Sequence, residues 1–106
     1  MPESGAGFAV VFVIETDRAV MYLRGEADIA TAEVLRDAFD HLVQDIKPAS
    51  VVIDMNDLSF MDVACGHLLA DYCRGAARRG CDVTLRRATR PILPILDLFD
   101  LQAITA

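Results

Sequence analysis

Three aspartates, Asp54, Asp57 and Asp62, lie close together in the sequence around the end of one apolar segment. Carboxylates in such an arrangement hold a magnesium ion in some α/β domains. Loop aspartates more often form turns and helix caps, and nothing nearby resembles a glycine-rich phosphate-binding loop. The sequence therefore favours structural roles for these carboxylates over a metal site.

Cysteines and histidines are the other side chains that could bind a metal or act in catalysis. Cys65, Cys73 and Cys81 are eight residues apart, whereas a zinc site requires a close cysteine pair, and three cysteines leave one unpaired in any disulfide scheme. We expect all three to be buried as small apolar residues in a reducing compartment. His41 and His67 are far apart, and no serine or cysteine has a recognisable base partner. The sequence predicts no enzyme, no bound metal and no cofactor.

Length and composition indicate the number of domains and exclude some classes of binding partner. The 106 residues are 54% hydrophobic and 25% charged, which predicts one domain over residues 1–106, with residues 1–6 as a flexible N-terminus. A net charge of −6 disfavours nucleic-acid binding through the phosphate backbone. The apolar run from Phe8 to Ile14 is too short to cross a bilayer, which needs about 20 residues. We therefore expect no membrane insertion, no signal peptide and a cytoplasmic location.

Hydrophobic periodicity predicts the elements that must position these residues. The pattern indicates a hairpin, then helix, strand, helix, strand, helix and a short last strand. Strands are expected over residues 8–14, 19–23, 50–55, 83–86 and 101–104, and helices over residues 31–47, 62–79 and 89–99. This order predicts an α/β fold, with a mixed sheet of four to five strands and about three helices packed on it through right-handed crossovers.

Several element boundaries have local signals. Pro48 ends the first helix, and Pro94 either shortens the third helix to begin near Leu93 or kinks it. Residues 56–59 are expected to form a polar loop after the third strand. Thr31 or Asp28 is expected to cap the first helix, and Asp62 the second, by accepting hydrogen bonds from free amides.

Two longer segments carry a family signature. Residues 23–35 contain GEADIATAEVL after the second predicted strand, and residues 51–69 read VVIDMNDLSFMDVACGHLL across a strand, a loop and a helix start. Both segments, with the tail over residues 92–104, resemble the STAS family of anti-sigma factor antagonists, in the family's order and over nearly the whole chain. The resemblance implies a STAS-like fold and a non-enzymatic domain that acts by binding a protein.

The resemblance also implies a partner and a docking surface. In family members with a regulatory switch, the residue after the aspartate of F-M-D is a serine or threonine that a partner kinase phosphorylates. That position is Val63 here, so we expect no phosphoacceptor and no switch by added charge. The implied partner is an anti-sigma factor of the histidine-kinase-like ATPase type, bound through Asp28, Asp62, Val63, Ala64, Cys65 and His67.

Alternatives to this interpretation stay open. A STAS-like domain can also be a structural subunit or scaffold of a cytoplasmic assembly, such as a lipid-transport ATPase, or a small-molecule or nucleotide sensor. Ser59 lies in the same loop and is an alternative phosphate acceptor, although a hydrogen bond within the turn is its expected role. Family analogy supplies the function, because a fold by itself does not determine one.

Overall fold

The computed structural model describes residues 3–5 and 7–104 of the chain. One mixed sheet crosses it, and the strands follow one another in sequence order: β1 (Glu3–Gly5), β2 (Phe8–Ile14), β3 (Arg18–Ala27), β4 (Ser50–Met61), β5 (Asp82–Arg86) and β6 (Ala103–Ile104). Strands β1 to β3 pair antiparallel, and β3 to β6 pair parallel. Each parallel step needs a crossover, and helices α1 (Ala32–His41), α2 (Val63–Arg78) and α3 (Leu93–Leu98) supply them.

The predicted α/β class, with a mixed sheet and three helices, is confirmed. Strand β1 extends the sheet to six strands, where the sequence indicated four to five. The flexible N-terminus was predicted for residues 1–6; the backbone of Glu3–Gly5 forms β1, and residues 1, 2 and 6 lie outside the described residues.

A single hydrophobic core lies between the sheet and the helices. Alternate residues of the strands point into it because successive side chains of a strand face opposite sides. Val51, Ile53 and Met55 of β4 are fully buried there, and Leu35 of α1 and Leu69 of α2 pack against them. The alternating apolar residues of the strands and the apolar sides of the helices therefore produce a sheet that is covered by helices on one face.

The prediction of a polar loop over residues 56–59 is wrong. Strand β4 continues to Met61 and stays paired with β3, with Arg24 opposite Asp57 and two irregularities in register. The extension is held because Leu58 and Met61 are buried in the core. Gly25 of β3 has φ +90° at this point, and a Cβ there would lie 1.9 Å from the carbonyl oxygen of Gly7, so only glycine fits.

Two helices differ from their predicted bounds. Helix α1 ends at His41, and Leu42–Ile46 continues it as one wider, π-helical turn that Lys47 closes with φ 51°. Helix α3 begins at Leu93, which confirms the shorter of the two predicted alternatives, and Pro94 lies in its first turn, where its missing amide hydrogen is not needed.

Candidate functional site

The start of α2 is set by Asp62, which directly follows β4. Its side-chain Oδ1 accepts a hydrogen bond from the amide of Cys65 at 2.9 Å, and its own amide donates to the carbonyl of Ala27 at 2.9 Å. The predicted cap of the second helix is confirmed. Because the cap holds the first turn at the end of the sheet, Val63 and Ala64 lie on the surface, and Val63 is 54% exposed.

The loop before α1 is held by a reciprocal pair of hydrogen bonds. Oδ1 of Asp28 accepts from the amide of Thr31 at 3.2 Å, and Oγ1 of Thr31 accepts from the amide of Asp28 at 3.0 Å. The prediction that one of these side chains caps α1 is wrong, because Thr31 forms no side-chain hydrogen bond to the amides of that helix. Instead the two residues form a capping-box arrangement one turn earlier.

Cys65 joins this loop to α2. Its thiol Sγ lies 3.4 Å from the carbonyl oxygen of Asp28 and donates a hydrogen bond to it, and the side chain is fully buried. Burial, with the nearby carboxylates of Asp62 and Asp28, raises the pKa of the Cys65 thiol to about 12. Cys65 is therefore a protonated structural group that fixes the two segments of the site against each other.

The remaining cysteines are only partly buried, so the expectation that all three cysteines are buried is confirmed for Cys65 alone. Burial raises the pKa of the Cys73 thiol to about 11 and also raises the pKa of Cys81. Thiols with raised pKa values are poor nucleophiles and poor metal ligands near neutral pH.

Gly66 and His67 both lie near the segment that contains α3, but Gly66 is buried and His67 is exposed, with its ring centroid 5.9 Å from that of Phe99. His67 is exposed, and its Nδ1 lies 3.6 Å from Oδ2 of Asp71 one turn later. Gly66 is buried against α3, where a Cβ would lie 2.6 Å from Cγ2 of Ile95 and 2.8 Å from Cε2 of Phe99. The glycine therefore allows α3 to pack directly on α2.

Two exposed apolar residues near the ends of β3 and β4 were not among the residues that the sequence singled out. Ile29 lies in the loop held by Asp28 and is 80% exposed, and Phe60 near the end of β4 is 45% exposed. An isoleucine inside a polar capping loop was the available sequence signal. We refer to Ile29, Phe60, Val63 and Ala64 as the apolar patch; all four lie at the end of the sheet where β3 and β4 finish.

The three neighbouring aspartates are not gathered into one site. Asp54 Oδ2 is 2.8 Å from Nε of Arg86 and 2.8 Å from Nη2 of Arg87, Asp57 lies 3.6 Å from Arg24, and Asp62 caps α2. Within residues 3–5 and 7–104, no three His, Cys, Asp or Glu side chains are grouped closely enough to bind a metal ion. The structure therefore assigns these aspartates to ion pairs and a cap.

Asp54 is the one buried carboxylate among them, with 2% exposure. Burial by itself would raise its pKa, but the amide hydrogen bond from Asn56 and the guanidinium groups of Arg86 and Arg87 outweigh that effect. The pKa of Asp54 is therefore lower than usual, and the carboxylate stays charged at neutral pH.

In the part of the chain that the structure describes, no helix combines the length and the apolar character needed to cross a membrane.

Comparisons with known proteins identify the family. Residues 10–106 match the family model described as the Mlab STAS domain. No curated protein sequence matches the chain significantly. Among solved structures, the anti-sigma factor antagonist SpoIIAA in its unphosphorylated form is similar with a TM-score of 0.73 and 19% identity, over 87% of this chain and 81% of that chain.

Two further structures show the same likeness. An anti-sigma factor antagonist from Mycobacterium paratuberculosis has a TM-score of 0.72 and 23% identity, over 97% of this chain and 89% of that one. A sulfate transporter family protein from Wolinella succinogenes has a TM-score of 0.67 and 18% identity, over 83% of this chain and 70% of that one. At these identities the likeness shows a common fold. Because the family model matches all but the first nine residues, the chain belongs to the STAS domain family.

Proposed function

We propose that this chain is a protein-binding domain of the anti-sigma factor antagonist type. It binds an anti-sigma factor of the histidine-kinase-like ATPase type in the cytoplasm and so releases a sigma factor. The resemblance of residues 23–35 and 51–69 to that family supports the proposal, as does the common fold with the antagonists named above. We propose that the domain acts by binding alone, because the described residues, 3–5 and 7–104, bring together no converging set of catalytic groups.

The observation that carries this proposal is the apolar patch at the start of α2. Ile29, Phe60 and Val63 expose 80%, 45% and 54% of their surface at one end of the sheet. Apolar side chains gathered on a surface mark sites where a protein partner binds, because burying them removes apolar area from water.

The polar residues around the patch would orient the partner. Asp28 and Asp62 are partly exposed, and His67 is exposed on the first turn of α2. Cys65, which the resemblance also assigned to docking, is buried, so its contribution is to hold the loop and the helix together. The proposed docking surface thus comprises the patch, with Asp28, Asp62 and His67 at its edge.

Val63 makes this docking surface permanent rather than switchable. A valine has no hydroxyl to accept a phosphoryl group, and the charge of a phosphate is what would otherwise disrupt an apolar contact. We propose that the domain binds its partner without control by phosphorylation at this position.

Replacement of Val63 by Asp tests the docking surface. The variant should lose partner affinity by about tenfold or more, because a charge would be buried in the contact. Its thermal stability should change little, since an anion is favoured at a helix N-terminus. The measurement is a pull-down from the native host with the captured protein identified by mass spectrometry, followed by affinity titration with that purified protein.

Ile14 offers a matched control. It is also 54% exposed, and it lies at the opposite end of the sheet from Val63, since it pairs with Ala19 beside the start of β4. Ile14→Asp should therefore capture the partner as the parent chain does. If Val63→Asp and Ile14→Asp bind equally well, the docking surface lies elsewhere and the proposal fails.

A second candidate is a structural subunit of a transport assembly. The missing hydroxyl at Val63 favours it, because a structural subunit needs no phosphorylation switch, and the fold is also that of a sulfate transporter family protein. The same pull-down separates the two. Capture of an anti-sigma factor supports the first function, and capture of transporter subunits supports the second.

A further inference from the structure

The sheet has a second face, opposite the helices, that carries apolar side chains. The residues of this open face alternate with the core residues of the strands, so they point away from α1, α2 and α3. Val20 and Val52 are buried but take no part in the core, and Val13 and Ile104 are 45% and 55% exposed. Across the sheet the open face comprises Val11, Val13, Val20, Tyr22, Val52, Asp54, Thr84, Arg86 and Ile104.

Opposite charges lie on either side of β4 on this face. The register places Arg18 of β3, Ser50 of β4 and Asp82 of β5 in one row across the sheet. Both Arg18 and Asp82 are exposed. Within the described part of the chain neither side chain forms an ion pair. The row thus has one unpaired cation and one unpaired anion at equal distances from β4.

We propose that the open face binds the same face of a second copy of this chain, with the two-fold axis running along β4 between the two sheets. Rotation about that axis places β3 of one copy over β5 of the other. Arg18 then faces Asp82 of the second copy, and the symmetry forms this ion pair twice. The arrangement is the aligned packing of two sheets about 10 Å apart.

Apolar residues of the next two rows also come opposite one another under the same rotation. Val20 and Thr84 occupy equivalent places on β3 and β5 and so come opposite each other between copies. Because Val20 and Val52 are already buried in their own copy, the apolar area that this row exposes comes from Val13 and Thr84. In the next row Val11 of β2 faces Ile104 of β6. Val52, Thr84 and Ile104 line a shallow groove that can receive side chains of the opposing sheet.

The buried carboxylate near the axis does not oppose this contact. Asp54 is already paired with Arg86 and Arg87 of its own copy, so it brings no unpaired negative charge to its counterpart. The same rotation places the ring of Tyr22 over Arg86 of the second copy, a pairing that aromatic rings and guanidinium groups favour. The contact lies on the face of the sheet opposite α2, so the inference does not rest on the proposed function.

Charge reversal tests the proposed pairing. Sedimentation of the full chain over a range of concentrations should give a species of twice the 11.6 kDa chain mass. Arg18→Asp or Asp82→Arg should each weaken dimerisation by roughly tenfold or more, because like charges then meet twice in each dimer. The double variant Arg18→Asp with Asp82→Arg should dimerise as the parent chain does, since every pair is restored with reversed sign.

The matched control is Asp37→Arg, which makes the same change of charge as Asp82→Arg on the exposed side of α1. It should leave dimerisation unchanged, and circular dichroism should show that every variant is folded. The proposal is overturned if the parent chain stays monomeric at the highest concentration. It is equally overturned if both single variants dimerise like the parent, or if the folded double variant does not recover.

Discussion

The thiol of Cys65 donates a hydrogen bond to the backbone carbonyl of Asp28, with 3.4 Å between Sγ and the oxygen. This contact joins residues that are 37 positions apart in the chain and belong to the two signature segments. The amide of Asp62 bonds to the carbonyl of Ala27 in the same region. These two hydrogen bonds therefore hold the loop before α1, which carries Ile29, against the first turn of α2, which carries Val63.

The chemical reactivity of Cys65 follows from this contact. Its pKa of about 12 compares with 9.0 for a free thiol, so on the order of 1000-fold less thiolate is present than in the unfolded chain. Alkylation with iodoacetamide at pH 8, mapped by mass spectrometry, should leave Cys65 unmodified in the folded protein and modify it in denaturant. Cys81, which is partly exposed, should react first. Rapid labelling of Cys65 in the folded protein would contradict this account.

Close packing of α3 on α2 predicts a cost for Gly66→Ala. The new Cβ would lie 2.6 Å from Cγ2 of Ile95 and 2.8 Å from Cε2 of Phe99, so these side chains or α3 itself must shift. We expect a loss of about 1–3 kcal/mol in the free energy of unfolding, measured by urea denaturation.

Gly75 on the same helix provides the control for that variant. A Cβ there meets only the guanidinium end of Arg79, 3.0 Å away, which can move aside. Because alanine favours a helix more than glycine does, Gly75→Ala should gain about 0.5–1 kcal/mol. Equal effects of the two substitutions would show that the contact between α2 and α3 is not tight.

Asp54 should make stability depend on pH in the acid range. Its pKa is lower in the folded chain than the ordinary 3.8, so its charge stabilises the fold above that value. The contribution is lost as the pH falls below 3.8 through the folded pKa. Asp54→Asn should remove this part of the pH dependence when unfolding is followed from pH 7 to pH 2.

The same variant should lose about 2 kcal/mol at neutral pH, because Arg86 and Arg87 lose their shared carboxylate. This loss in the free energy of unfolding is smaller than that expected for a fully buried ion pair, because the guanidinium groups of Arg86 and Arg87 remain partly exposed to water. Asp57→Asn is the comparison, as its pairing with Arg24 is exposed and 3.6 Å long. A loss no larger than that of Asp57→Asn would contradict the role given to Asp54.

The wild-type chain should take up no phosphate from a cognate kinase and ATP. Val63 has no acceptor oxygen, and Ser59 uses its hydroxyl to donate to the carbonyl of Gly25 at 3.1 Å. Intact mass after incubation is the measurement. Phosphate mapped to Ser59 or Thr31 would show that the switch has moved to another hydroxyl.

Val63→Ser should become a substrate in the same assay. The serine would stand at the first position of α2, directly after the Asp62 cap, where the fold presents it to solvent. Positioning supplies most of the catalysis in phosphoryl transfer, and the kinase supplies the metal and the base. Val63→Ala is the control and should remain unmodified.

The sequence by itself determined the order and type of the elements and the local signals at their ends. The spacing of apolar residues that distinguishes a strand from a helix can be read from a few neighbouring positions. For that reason β2, α1, α2 and the first half of β4 were predictable. The cap at Asp62 was predictable for the same reason, because the side chain bonds to an amide three residues away. The missing hydroxyl at Val63 required no structure.

Tertiary structure alone decided the features that depend on distant segments. Strand β4 runs through residues 56–61 because β3 pairs with them and the core takes up Leu58 and Met61, whereas the polar residues Asn56, Asp57 and Ser59 locally favour a loop. Asp54 is buried because Arg86 and Arg87, more than thirty residues later, supply its charge partners. Cys65 and Asp62 likewise hold the loop that carries Ile29 against the start of α2, which carries Val63. Such contacts join residues far apart in sequence, and local spacing holds no information about them.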